Sequence, residues 1–297
     1  MATKNTLAPD ADETFPHDEF TAYECDATEV ANFSGMVDGI YAEEEHLLIV
    51  RNVFDPELLG RVAKKLENEG QDLMVVPTVT KTEDRSERFN IGRAITPTMN
   101  TPEGPSLDLY LEDARKFAVQ LADLFEGVDP VAKFQEVLSP LAAGRPVATP
   151  TEADGRHYNP LTIRAVPPGK EINLHVGKFF FQLASYTPIV KKIDAEAQIS
   201  FFVPIQVPDQ GGRLTVYFHK YGDPRGASFD VWTRANEDAI TGTSPAARFA
   251  PRVGDMLIFD GGRYYHTVDM VGGAKTRWTI GGFLALDRAQ EKLLMWS

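Results

Sequence analysis

A chain of 297 residues, 43% of them hydrophobic, can bury a sizeable core as one large domain or two small ones. Its net charge of −13 argues against a nucleic-acid surface and against docking on an anionic membrane, while leaving room for a small anion in a locally basic pocket. Cys25 is the only cysteine, which excludes an intrachain disulfide and a thiolate metal site and suits a reducing cytoplasm.

Residues 1–18 are polar and acidic and read as a disordered tail ahead of a single domain over 19–297. No basic start followed by an apolar run marks a signal peptide, and no apolar run approaches membrane-spanning length. The run Leu47–Val50 predicts a buried strand, with Glu43–Glu45 as a solvated face and His46 at the strand edge. Asp55-Pro56 then opens a helix, with an N-cap aspartate and a proline in the first turn. Leu58, Leu59, Val62, Ala63 and Leu66 keep its apolar spacing, and Gly70 ends it. The charged stretch 81–94, with Glu87, Arg88 and Arg93, reads either as a solvated loop or as a pocket wall that recognises a polar substrate. Two helices follow, at about 106–127 and 130–142, and the helix-rich half closes near residue 157.

From Leu161 the pattern changes to short strands separated by Gly- and Pro-rich turns. Strands are expected at 161–166, 171–182, 198–207, 214–219 and 254–260, then around His266 and over Trp278–Leu286. A helix-like span near 185–196 interrupts them, and the polar insertion 220–250 is a candidate lid. Such strands after a helical first half predict an α+β, mainly β fold, a jelly roll flanked by helices, with its core over about 158–297. His157 has no partner at ligand spacing, and His219 reads as structural.

Three stretches of this half carry chemistry: Glu171-Ile-Asn-Leu-His175-Val-Gly177, Gly261-Gly-Arg-Tyr-Tyr-His266 and Lys275-Thr-Arg277-Trp-Thr279. Alternate residues of a strand share a face, so His175 and Gly177 are expected to point the same way, as are Arg277 and Thr279. His-x-Asp with a distant His builds the facial triad of non-haem Fe(II) oxygenases. Here Gly177 stands at the carboxylate position. A bidentate 2-oxoglutarate would take two metal positions, with its far carboxylate forked onto Arg277. The position that an aspartate oxygen usually takes then suits a halide, monoanionic like the missing carboxylate. Each piece alone has a plainer account: a packed strand histidine, a bulge glycine, a surface arginine. The ordered set carries the metal reading.

Further stretches extend the pattern: Thr162-Ile-Arg164, Glu171-Ile172, Ser200 in its strand, Pro251 to Gly254-Asp-Met-Leu, Thr279-Ile-Gly-Gly-Phe-Leu-Ala and Trp296-Ser297. In these the chain resembles the free-standing Fe(II)/2-oxoglutarate halogenases that chlorinate hapalindole- and welwitindolinone-type indole alkaloids. The likeness is dense over 158–297 and looser back to about residue 36. The resemblance implies a double-stranded β-helix, cupin-like, with helices packed on one side. It implies iron on His175 and His266, chloride beside Gly177, and 2-oxoglutarate on Arg277 with Thr279 assisting. Ser200 matches a position near the halide, and Ile172 and Phe180 match positions lining the substrate pocket. The implied chemistry is radical: O2 and 2-oxoglutarate generate a ferryl centre, which takes hydrogen from an unactivated aliphatic C–H bond, and the carbon then collects chlorine. The implied substrate is a free small molecule, with no carrier protein.

One stretch departs from the family pattern. The loop at 87–94 is charged where the family's is largely apolar, which points to a substrate more polar than an alkaloid. A nucleotide or amino-acid derivative, with Arg88 or Arg93 pairing its anionic group, fits that composition. Two other readings stay open from sequence: a hydroxylase of the same fold, and a non-catalytic jelly-roll binding protein in which His175 and His266 are packed residues.

Overall fold

The computed structural model describes residues 5–6, 20–69, 73, 75–78, 88–95, 100–101, 104–223 and 234–297. Most of the expected tail, residues 79–87 with Glu87, and residues 224–233 of the candidate lid lie outside the described residues.

Two sheets pack face to face. The major sheet runs in the order Asn5–Thr6, Ala22–Asp26, Leu47–Arg51, Met256–Phe259, Ile199–Gln206, Arg277–Leu286, Thr162–Val166, Arg88–Ile91 and Val75–Thr78. Leu293–Trp296 also pairs with Arg277–Leu286. The minor sheet runs Ile172–His175, Tyr264–Val268, Leu214–Lys220 and Ala246–Phe249. The chain passes back and forth between the sheets, so strands from the two halves of the sequence share the major sheet, and the jelly-roll architecture read from sequence is present.

Period-two alternation sorts the side chains of the major sheet. One face sends Phe201, Val203, Ile205, Ile258, Ile280 and Leu284 into a core with the helices Pro56–Glu69 and Pro130–Leu141. Each fully buried side chain of this kind contributes roughly 1.5–3 kcal/mol. Asp55 caps its helix as expected, accepting from Glu57 N at 2.9 Å, and Asp129 caps the other, accepting from Val131 N at 2.9 Å. The opposite face looks at the minor sheet. There Leu47, Ile49, Leu257 and Phe259 meet Leu214, Val216 and Tyr264, while Gln198, Ser200, Arg164, Arg277 and Thr279 fall on the same side nearer the histidines.

Several expectations need correction. The strand expected over 171–182 ends at His175; Val176 is extended and Gly177–Phe180 form a helical turn. The 185–196 span resolves into two short turns, Ala184–Tyr186 and Thr187–Val190. In the insertion, Arg234–Thr243 is helical and Ala246–Phe249 is a full strand of the minor sheet. Ile240 anchors that helix by packing with Leu174, Val176 and Tyr265. His46 sits at the edge of the Leu47–Arg51 strand as expected, but inside the fold. It is buried, its Nδ1 accepts from Thr21 N at 3.1 Å, and its ring stacks on Phe20 at 5.0 Å. No helix among the described residues is long and apolar enough to cross a membrane.

Candidate metal centre

His175 and His266 are direct cross-strand partners in the minor sheet. Their ring centroids stand 4.1 Å apart. Each ring is fixed by its own strand: His175 Nδ1 donates to Asn173 O at 2.8 Å and His266 Nδ1 to Tyr264 O at 2.9 Å. A carbonyl can only accept, so both Nδ1 atoms carry the proton and both lone pairs sit on Nε2, the tautomer a metal ligand needs. Burial pushes the His266 imidazole down to about 4, against the raising effect of the bond to Tyr264. At neutral pH it is therefore an uncharged donor. Among the described residues no group of three His, Cys, Asp or Glu gathers anywhere, so the third ligand of a facial triad is not supplied by such a side chain.

The Gly261-Gly262 turn ties the two histidine-bearing segments together. Gly177 N donates to Gly261 O at 2.8 Å and Lys178 N to Gly262 O at 3.0 Å. Neither turn residue has room for a side chain. A Cβ on Gly261 would run into Ser200, and one on Gly262 would lie 2.6 Å from Gln198 O. Buried Arg263 locks the turn from outside, pairing with Asp260 at 2.8 Å and donating to Ile40 O at 2.6 Å. Gly177 shares no strand face with His175, contrary to the alternation argument. It lies beside the histidines because the helical turn folds it back onto Gly261.

Arg277 is buried, with its Nε donating to Gly212 O at 2.9 Å and its guanidinium 5.2 Å from the Phe202 ring. Burial and the neighbouring Arg164 push it down to about 9, with no acid among the causes. Thr279 lies on the same face, two residues on, and is buried. Directly across the ladder from Thr279 is Arg164. Arg164 belongs to the Thr162-Ile-Arg164 motif, which by itself assigns it no role. Its guanidinium makes no hydrogen bond or ion pair among the described residues, and burial pushes it down as well. Two neighbouring guanidiniums, that of Arg277 buried, with no carboxylate partner among the described residues fit a small dianion better than they fit a folded core.

Ser200 abuts Gly261 as described, which places it beside Gly177. Phe180 lies edge-on to His175 at 6.5 Å and stacks on Tyr186 at 5.8 Å. A shift of register between Ile172 and His175 sets Ile172 opposite Val268, on the side that His266 faces. Ile172 is buried there with Val166 and Val268. Arg93 Nε pairs with Asp113 at 2.6 Å. Arg88 begins a strand, but its side chain lies outside the described residues. His157 bonds Thr151 at the surface and His219 packs on Tyr265 at 5.6 Å. Sequence reading also missed Gln198, two residues before Ser200 on the same face; that spacing is the signal that could have found it.

A family model described as the carrier-protein-independent halogenase WelO5 matches residues 19–297. No curated protein sequence matches the chain. Among solved structures, an N-substituted L-amino acid dioxygenase from Burkholderia ambifaria is similar, with 14% identity and a TM-score of 0.53, covering 88% of this chain and 90% of that one. The same dioxygenase in complex with α-ketoglutarate gives 14% identity and a TM-score of 0.52, covering 90% of this chain and 91% of that one. At that identity the likeness shows the fold, the double-stranded β-helix of 2-oxoglutarate/Fe(II) oxygenases.

Proposed function

The chain belongs to the carrier-protein-independent halogenase family, iron- and 2-oxoglutarate-dependent oxidoreductases that act on free small molecules, and on that premise we propose how its residues divide the work. His175 and His266 are the protein ligands of Fe(II). Bound iron, with 2-oxoglutarate and O2, supplies the oxidant that removes a hydrogen atom from an unactivated aliphatic carbon.

The other residues bind and orient. Arg277 forks onto the far carboxylate of 2-oxoglutarate, with Thr279 as a hydroxyl partner. Arg164 supplies the second positive charge facing that dianion. Gly177 offers no carboxylate, so chloride takes the anionic position beside it, next to Ser200. Phe180 and Ile172 wall the space in front of His175 and hold the substrate carbon near both the oxidant and the halide, where a small displacement changes the product. The substrate is a natural-product alkaloid or a more polar nucleotide- or amino-acid-like molecule. Arg88 pairs an anionic group in the second case, and an Arg88→Ala enzyme with unchanged KM removes it from the site. A reducing cytoplasm suits this chemistry. Cys25 is buried with its thiol pushed up to about 12 by that burial and by Glu29, Asp26 and Glu24, so it is not a competing metal ligand.

The observation that carries the reading is the facing histidine pair with both Nδ1 protons spent on backbone carbonyls and, among the described residues, no carboxylate completing a three-ligand group. The test is anaerobic. Fe(II) and 2-oxoglutarate together should give a visible charge-transfer band that His175→Ala and His266→Ala lose, and chloride should shift it saturably. Product mass should then show chlorine for hydrogen. A band indifferent to chloride, with oxygen inserted in the product, would instead establish a hydroxylase.

A further inference from the structure

Gln198 is fully buried, and neither Oε1 nor Nε2 of its amide has a hydrogen-bond partner among the described residues. A buried amide can make several hydrogen bonds, and leaving all of them unmade is costly, so such a group calls for an explanation in a ligand. Its place in the fold supplies one. The backbone of Gln198 is clamped under Gly262, since a Cβ on that glycine would lie 2.6 Å from Gln198 O and 2.7 Å from its N. The side chain leaves on the other side and ends at Gly177. A Cβ built there would collide with Gln198 Oε1 and lie 2.9 Å from its Cδ. The room that a carboxylate-bearing residue would need at position 177 is thus partly filled by a primary amide. Ser200, two residues further on the same face, stands against Gly261, whose carbonyl accepts from Gly177 N.

We propose that Gln198 is a halide-binding residue: its Nε2–H donates to the anion held beside Gly177, and it shares that anion with the Ser200 hydroxyl. Turning the amide half a turn exchanges Oε1 and Nε2 within one volume, so the donor reaches the place where Oε1 is set without moving the chain. A side chain that is neutral but donates suits this position. It stabilises a monoanion without adding a cation that would hold it too tightly, and it cannot ligate iron as a carboxylate would. The inference rests on the halogenase reading above and deepens it. It also gives the glycine a second reason: a side chain at position 177 would displace the amide as well as the halide.

The experiment compares wild type, Gln198→Met and Gln198→Leu. Both replacements keep the bulk and remove the donor. Thermal unfolding of the metal-free proteins comes first. Because the amide has no partner among the described residues, both variants should melt at or above the wild-type temperature. The anaerobic Fe(II)–2-oxoglutarate band should form in both with unchanged affinity for 2-oxoglutarate. Chloride should bind about ten- to a hundred-fold more weakly, the range expected for one hydrogen bond to a charged acceptor.

An unchanged chloride midpoint in a folded variant would overturn the inference while leaving the halogenase reading intact. Loss of the band itself would move Gln198 to the iron or the co-substrate and overturn it too. Loss of the folded state in both variants would assign the amide to the fold, with the same result. A wild-type band that ignores chloride would sink the halide part of the proposed function, and this inference with it.

Discussion

The space between the two sheets has two halves of opposite chemistry. Around Phe20, Leu47, Ile49, Leu214 and Leu257 it is apolar, and the polar ring it takes in, His46, is satisfied from within by Thr21 N. The other half collects Arg164, Arg277, Thr279, Gln198 and Ser200 around the two facing histidines. There the guanidinium of Arg164 and the amide of Gln198 have no partners among the described residues. The same strands build both halves, so propensity does not distinguish them. The difference is satisfaction: in the first half the chain itself answers the buried histidine, and in the second a cation and an amide are left for what binds there. His46 and His266 make the point with one residue type. Burial pushes both down to about 4, yet His46 Nδ1 accepts an internal proton while His266 Nδ1 donates one and turns its lone pair outward.

The largest effect expected from this contrast is in the second half. Arg277→Met should weaken 2-oxoglutarate binding by about thirty-fold or more, since truncating one partner of a buried charge pair costs roughly 2–5 kcal/mol. Its stability should hold or rise, because the metal-free protein loses a buried cation that has no counter-ion among the described residues. Titration of the charge-transfer band and thermal unfolding read the two quantities. A variant that melts much earlier yet binds the co-substrate normally would erase the distinction between the halves.

The first half should respond the other way. Leu257 is fully buried, and Leu257→Ala should cost about 2–5 kcal/mol through lost burial and the cavity it leaves. Fe(II) and 2-oxoglutarate should bind the folded variant within about two-fold of wild type, because the Leu257 side chain makes none of the hydrogen bonds that orient the site, although its cluster meets the site through Phe259, edge-on to His266 at 4.9 Å, and Phe202, under Arg277. Denaturant unfolding, set beside the same titration, decides it. A parallel loss of affinity would show that the two halves are mechanically one.

How much of this was legible in the sequence follows from which interactions are local. His175, His266, Arg277 and Thr279 could be read because each sits in a motif whose chemistry is specific. The strands 199–206 and 277–286 could be read because their alternation is strong, and the helix starts at Asp55 and Asp129 because capping is local. The strand at 246–249 was hidden in Ala-Ala-Arg-Phe, whose place is set by pairing with Leu214–Lys220 rather than by its own composition. The turn at Gly177 was missed because its hydrogen-bond acceptors are roughly eighty residues away, at Gly261 and Gly262. Arg164 and Gln198 escaped for the same reason. An unpaired buried group is defined by what surrounds it in space, and a sequence shows only what flanks it.

The smallest predicted effect sharpens the histidine comparison. The folded pKa of His46 is depressed from 6.5 to about 4, chiefly by burial. A depressed histidine contributes stability that is fully present above the unfolded pKa and is lost as pH falls below it, because the unfolded chain then binds the proton more readily. The window therefore runs from about 6.5 down to about 4. Protonation there would also place a proton where Nδ1 accepts from Thr21 N. Between about pH 7 and about pH 5.5 the loss should be roughly 1.2 kcal/mol from this residue alone. His46→Gln keeps a side-chain acceptor and does not titrate, so its unfolding free energy should fall less steeply over the same interval. The difference between the two pH curves isolates the residue from the carboxylates that titrate alongside it. Parallel curves would mean that His46 is already charged in the folded protein, and the half whose histidine the chain answers would contain an unanswered cation of its own.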